Sequence, residues 1–203
     1  MGGAACLLAE LQRPSTFAAL CLFEPIVMPD PAWLLKTHNM KPEQLDGHLS
    51  KIALRRRNGW SSREEVVDYV RTRGAFRRFH PAALEAYVDG GVRQNRDGTG
   101  FELKCSPLDE AAVYPGRPWD LHPRVAAVSC PAVVASGALS PKPLDSAYFE
   151  RLARHMPNAS HARAEECGHF LVMEDPQWCA HVIADACQDL LPACFGGRRP
   201  ARL

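Results

Sequence analysis

Glu166-Cys167-Gly168-His169-Phe170-Leu171-Val172-Met173-Glu174-Asp175-Pro176-Gln177 is the stretch on which the fold turns. It follows a weak apolar strand pattern at 159–165 and leads into a long helical pattern at 177–191, opened by Asp175-Pro176. A glycine just before a histidine, between strand and helix, puts an imidazole on a loop. In open α/β sheets, loops at the carboxyl ends of the strands are where ligands bind. His169 is therefore the candidate for chemistry. The competing reading, a packing or surface role, suits the other histidines of the chain.

Upstream of that loop, Cys130-Pro-Ala-Val-Val-Ala-Ser136 is a continuous apolar run that ends at Gly137. Such a run predicts a strand buried on both faces of a parallel sheet. A helix is predicted over 145–155, with Phe149, Leu152 and Ala153 on one face and Pro157 beyond its end. Strand, helix, strand, helix at this spacing implies parallel crossovers. At the other end of the chain, Leu7, Leu8 and Leu11 predict a helix over 1–13, stopped by Pro14. Phe17-Ala-Ala-Leu-Cys-Leu-Phe23 then reads as a second buried strand.

Between 28 and 114 the texture changes. Pro29, Pro31 and Pro42 break the entry, and helical patterns follow one another with no convincing buried strand. Ser61-Ser62-Arg63-Glu64-Glu65 offers two overlapping capping boxes before Val66 and Val67, and Pro81 opens a further helix that Gly90 ends. The organisation predicted is a helix and core strand at 1–28, a helical insertion at 29–115, an α/β core at 116–192 and a flexible tail at 193–203. The fold class is α/β.

Composition narrows the function. Of 203 residues, 46% are hydrophobic and 23% charged, which suits a globular chain with a real core. Lys and Arg number 24 against 23 Asp and Glu, so no net field draws nucleic acid or an anionic membrane. No apolar run approaches a membrane span, and no basic segment precedes an apolar one as in a secretory signal. A cytoplasmic protein is expected. The cysteines at 6, 21, 105, 130, 167, 179, 187 and 194 form no C-x-x-C pair, so reduced packing thiols are expected and neither a metal nor a cofactor.

These segments, in this order, resemble the α/β-hydrolase superfamily across nearly the whole chain. Gly168-His169-Phe170 resembles its catalytic-histidine loop, 130–137 its penultimate core strand, 17–25 the strand after the nucleophile helix, and 29–115 its cap. The resemblance implies a partial α/β-hydrolase fold: the last strands of the parallel sheet with a helical cap insertion. The family's nucleophile lies in G-x-S-x-G, a strained strand-to-helix turn. Met1-Gly2-Gly3 matches that motif from the residue after the serine, so the serine and the earlier strands are expected upstream, and Met1 would supply an oxyanion-hole amide. Ser61, Ser62 and Ser106 read as caps or turns, and Ser136 and Ser140 lack the elbow. Trp33, Trp60 and Phe79 of the cap are candidates to wall a substrate pocket, with packing as the competing role.

The resemblance also asks for an acid. Its common place would be residue 140, which is Ser140. Asp145 could substitute, although it reads better as a helix N-cap. Glu24, in Leu22-Phe23-Glu24-Pro25-Ile26-Val27-Met28-Pro29, stands at the end of a buried strand, where some haloalkane dehalogenases of the superfamily carry their acid. A carboxylate after seven apolar residues needs a buried partner or solvent. The implied activity is hydrolysis of an ester, thioester or similar small-molecule substrate by Ser, Glu24 and His169, with this chain inactive alone. A non-catalytic binding or assembly module, self-associating through an exposed sheet edge, is the alternative. Ala201-Arg202-Leu203 resembles the C-terminal peroxisomal signal typified by Ser-Lys-Leu.

Overall fold

The computed structural model describes residues 1–116, 118 and 120–190; the tail at 193–203, with Cys194 and the Ala201-Arg202-Leu203 ending, lies outside them. Along the chain run α1 (Gly2–Gln12), β1 (Leu20–Phe23), α2 (Pro31–His38), α3 (Pro42–Leu54), α4 (Arg63–Arg71), α5 (Pro81–Gly91), β2 (Val92–Gln94) and β3 (Phe101–Leu103). There follow α6 (Pro107–Val113), α7 (Leu121–Arg124), β4 (Ala132–Gly137), α8 (Ser146–His155), β5 (Ala159–Ala164), α9 (Leu171–Glu174) and α10 (Pro176–Leu190). Two compact units form, Met1–Asp30 with the residues from 119 onward, and Pro31–Pro118.

In the first unit β4 lies between β1 and β5, and both pairings are parallel. Leu20 stands opposite Ala132, and Ala132 opposite Ala159. All six residues of β4 are buried, as its continuous apolar run requires. Successive side chains of a strand point to opposite faces, and the core divides accordingly. Leu20, Leu22 and Val134 pack with Leu7 of α1 and Phe149 and Leu152 of α8. On the other face, Phe23 and Ala135 pack with Cys167, Leu171 and Cys179, joined by Trp178 and Val182 of α10. Burial of these thiols pushes Cys179 up to about 12, which leaves it an inert packing group.

β1 is shorter than the predicted 17–23. The Glu10 carboxylate accepts the amides of Ser15 (2.8 Å) and Phe17 (3.1 Å), which ties 15–17 to α1 before strand pairing begins at Leu20. Local polar capture overrides an apolar run that reads as continuous strand.

In the second unit Val66, Val67 and Val70 of α4 pack with Leu84 and Val88 of α5. Ser62 caps α4 by accepting the Glu65 amide (3.1 Å), while Glu65 accepts from Ser61 N–H (2.7 Å), so the overlapping boxes resolve to one cap. This unit also holds an antiparallel hairpin, β2 with β3, which the helical reading of the insertion missed. Its strands have three residues each, too short for an alternation to register. The turn did carry a signal: Asp97 accepts the Thr99 amide (3.0 Å) and Gly98 adopts φ +73°, the Asp-Gly chemistry of tight hairpins. Trp60 and Phe79 sit in the aromatic and aliphatic packing of this unit, and Trp33 meets the edge of His38, so each has a packing role. No helix among the described residues is long and apolar enough to cross a membrane.

Candidate active site

The site is built where the chain leaves β1, β4 and β5. At the end of β4, Gly137 lets the histidine loop come close: a Cβ there would lie 2.3 Å from the Cys167 carbonyl oxygen and 2.5 Å from that of Gly168. Ala138 N–H donates to Ala164 O (2.8 Å) and Leu139 N–H to Cys167 O (2.9 Å), which clamps the loop onto the strand end. Gly168 N–H donates to Glu174 Oε2 of α9 (2.9 Å). Between these ties His169 projects, its side chain 35% exposed and its ring edge-on to Phe170.

Glu24 continues β1 by one residue, its N–H donating to Ala135 O (2.9 Å). It then turns into the left-handed region at φ +43°, a conformation that costs a non-glycine residue about 1 kcal/mol. Such outliers persist only where the surroundings over-determine them. Here three donors do so. Oε1 accepts Gly137 N–H (2.8 Å) and the Ser140 hydroxyl, while Oε2 is bonded to His169 Nδ1. The carboxylate is 1% exposed, so its partners are protein groups rather than water. Burial of a carboxylate needs this degree of satisfaction.

Of the predicted residues, the structure thus brings Glu24 and His169 into contact, with Ser140 on the opposite oxygen. It places Asp145 elsewhere: its Oδ1 accepts the Tyr148 amide (2.9 Å) at the N-terminus of α8, the role of an N-cap. Ser136 is fully buried and bonded to Ser146 (3.0 Å) and His161 Nε2 (2.9 Å), inside the sheet–helix layer. Met1 precedes α1 and its carbonyl accepts from Ala5 (3.2 Å). A Cβ on Gly3 would lie 2.9 Å from Pro25 Cβ, so the first turn of α1 packs beside the residue after Glu24. Among the described residues no hydroxyl or thiol is bonded to His169, and no cluster of three or more His, Cys, Asp or Glu could hold a metal.

Sequence reasoning passed over the Gly137 amide and Ser140 as partners of the acid. The only signal was positional, since Ser140 stands where a family acid is usual.

No family model matches the chain. Among characterised proteins it is similar to the abhydrolase domain-containing protein ACTT2 of Alternaria alternata, 24% identical over 91% of this chain and 79% of that protein. AFT2-1 of the same organism is 23% identical over the same shares. Among solved structures, the peroxisomal α/β-hydrolase Lpx1 of Saccharomyces cerevisiae superposes with a TM-score of 0.70 at 18% identity, over 99% of this chain and 54% of that one. E-2-(acetamidomethylene)succinate hydrolase gives 0.68 at 15% identity, over 91% of this chain and 62% of that one. A thermophilic esterase from Thermogutta terrifontis gives 0.59 at 22% identity, over 93% and 62%. The chain therefore spans between about half and two thirds of the length of these solved structures. Their likeness gives the fold. The chain thus has an α/β-hydrolase fold, in part, and its sequence is similar to abhydrolase-domain proteins, which supports a place in the α/β-hydrolase superfamily.

Proposed function

We propose that the chain supplies the acid and the base of a cofactor-free hydrolase acting on an ester, thioester or similar small substrate. The observation that carries this reading is one pair: a buried carboxylate, Glu24, bonded to Nδ1 of the part-exposed His169, just beyond the strands. With Nδ1 occupied, Nε2 is the nitrogen left to exchange protons. It takes the proton of a serine hydroxyl as that oxygen attacks the substrate carbonyl, and Glu24 stabilises the imidazolium that forms. The tetrahedral oxyanion rests on backbone N–H groups. His169 then gives the proton to the leaving group, and water repeats the sequence to release the acid.

In this reading the serine belongs to a segment N-terminal to α1, next to Met1, whose amide serves the oxyanion. The packing of Gly3 on Pro25 supports it, because it brings the start of α1 beside Glu24. The 203-residue chain alone is then inactive. A protein extended by the in-frame upstream codons is expected to hydrolyse p-nitrophenyl esters and to label with a fluorophosphonate probe, while the 203-residue chain does not label. Strong labelling of the short chain, abolished by replacing one of its own serines, overturns the reading.

One observation favours a second reading, a non-catalytic binding or assembly module. Among the described residues β1 is paired only with β4, so its other edge offers free backbone groups to a further strand. Self-association of the purified chain, read by light scattering, is the expected result, and a monomer at all concentrations counts against it. Residence in the cytoplasm stays the first expectation; peroxisomal import is the alternative, supported by the Ala201-Arg202-Leu203 ending and by the description of the yeast neighbour as peroxisomal. A fluorescent fusion that stays diffuse with Leu203 free rejects import.

A further inference from the structure

We infer that Ser140 is a positioning residue for the acid: its hydroxyl, with the Gly137 amide, fixes the Glu24 carboxylate so that Oε2 is aimed at His169 Nδ1. The inference rests on the reading of Glu24 and His169 as a working pair.

Ser140 is 7% exposed, and its hydroxyl donates to Glu24 Oε1 across 116 residues of sequence. Its own backbone is fixed by a tight turn, with Ser140 N–H donating to Gly137 O (3.3 Å), and the neighbouring Leu139 amide is bonded to Cys167 O (2.9 Å). The hydroxyl is therefore held by the same strand end that clamps the histidine loop. A glutamate carboxyl turns freely about its last bond, and that torsion has no sharp rotamer preference. Two donors on one oxygen, one of them a rigid backbone amide, remove that freedom and leave the second oxygen a single direction. Without the hydroxyl, Oε1 keeps one donor and the carboxylate can swing from the imidazole.

Proton NMR of the 203-residue chain reads the pair directly, because a His169 Nδ1 proton held by a buried carboxylate gives a low-field resonance protected from exchange with water. Ser140→Ala is expected to shift that resonance upfield and to speed its exchange about tenfold, the loss of one hydrogen bond to a charged group. Ser140→Thr, which keeps the hydroxyl, is expected to retain the wild-type signal. Ser140→Cys has nearly the shape of serine but is a weak donor, so it should behave as Ala while preserving packing; this keeps the test valid if Ala perturbs the fold. Glu24→Gln must abolish the protected signal. An unchanged resonance and exchange rate in both Ser140→Ala and Ser140→Cys, with the signal lost in Glu24→Gln, overturns the role of Ser140 alone. A signal that survives Glu24→Gln overturns instead the pair on which the proposed function stands.

Discussion

At the end of α1 that leads into β1, Glu10 is 2% exposed and accepts two backbone amides, Ser15 and Phe17, five and seven residues away. At the carboxyl end of β1, Glu24 is 4% exposed and draws its donors from 113, 116 and 145 residues away, one of them a part-exposed imidazole. Glu24 also sits at a positive φ. Burial of a carboxylate, then, does not by itself mark a site. Glu10 is accounted for by the local turn it stabilises, whereas Glu24 joins three chain segments, sits at a strained backbone position and is bonded to a part-exposed imidazole.

The contrast is broken most sharply at the level of activity. In an active, extended protein Glu24→Gln is expected to lower kcat by roughly 10⁴, the scale on which an imidazole loses its acid partner. Glu10→Gln should leave kcat unchanged. Asp145→Asn should change little in either activity or stability, since asparagine caps a helix as well as aspartate. A larger kcat loss from Asp145→Asn than from Glu24→Gln would refute the assignment of the acid.

A second test strikes the clamp around the histidine loop. Gly137→Ala places a methyl group against two carbonyl oxygens, and the loop must move to admit it. Denaturant titration is expected to show a loss of about 3 kcal/mol, accompanied by loss of the protected His169 proton. A variant of wild-type stability would show that the close approach is not needed.

The structural carboxylate has its own signature. Glu10→Ala strands two amides at the mouth of β1, and about 2 kcal/mol of stability should disappear, with the His169 resonance unmoved. Movement of that resonance would mean the two ends of β1 are coupled.

The smallest effect concerns pH. Burial holds His161 below its ordinary value near 6.5; Glu150 opposes the shift and Arg163 and Arg154 add to it. His122 is lowered by burial and by His155, against Asp30. Because the unfolded chain binds these protons more readily than the folded one, the stabilisation is complete above about pH 6.5 and is lost as pH falls toward the lowered folded values. Thermal midpoints should therefore fall between about pH 7 and about pH 5, and His161→Gln should flatten the slope. A steeper slope in that variant would contradict the sign.

Much of the architecture was legible because it is written in short-range pattern. The apolar run 130–136 became the fully buried central strand, and the periodicity around Phe149 and Leu152 became the helix that covers it. Ser62 and Asp145 capped the helices their positions suggested. What was not legible has an equally physical reason. The strand at 17–23 lost its first three residues to a turn tied back by Glu10, and the β2–β3 hairpin was too short to show a period of two.

The sequence by itself determined that this chain builds strands with helices between them, and that His169 stands on a loop after the last strand. Only the tertiary structure decided which carboxylate meets that histidine. Glu24 and Asp145 were both open to it, and no local rule relates residue 24 to residue 169. The choice was made by sheet order and register: with β1 beside β4, in step from Leu20 and Ala132, the end of β1 falls under the Gly137 turn and the histidine loop above it. Hydrogen-bond partners more than a hundred residues apart are set by that parallel pairing, which periodicity can announce but cannot align.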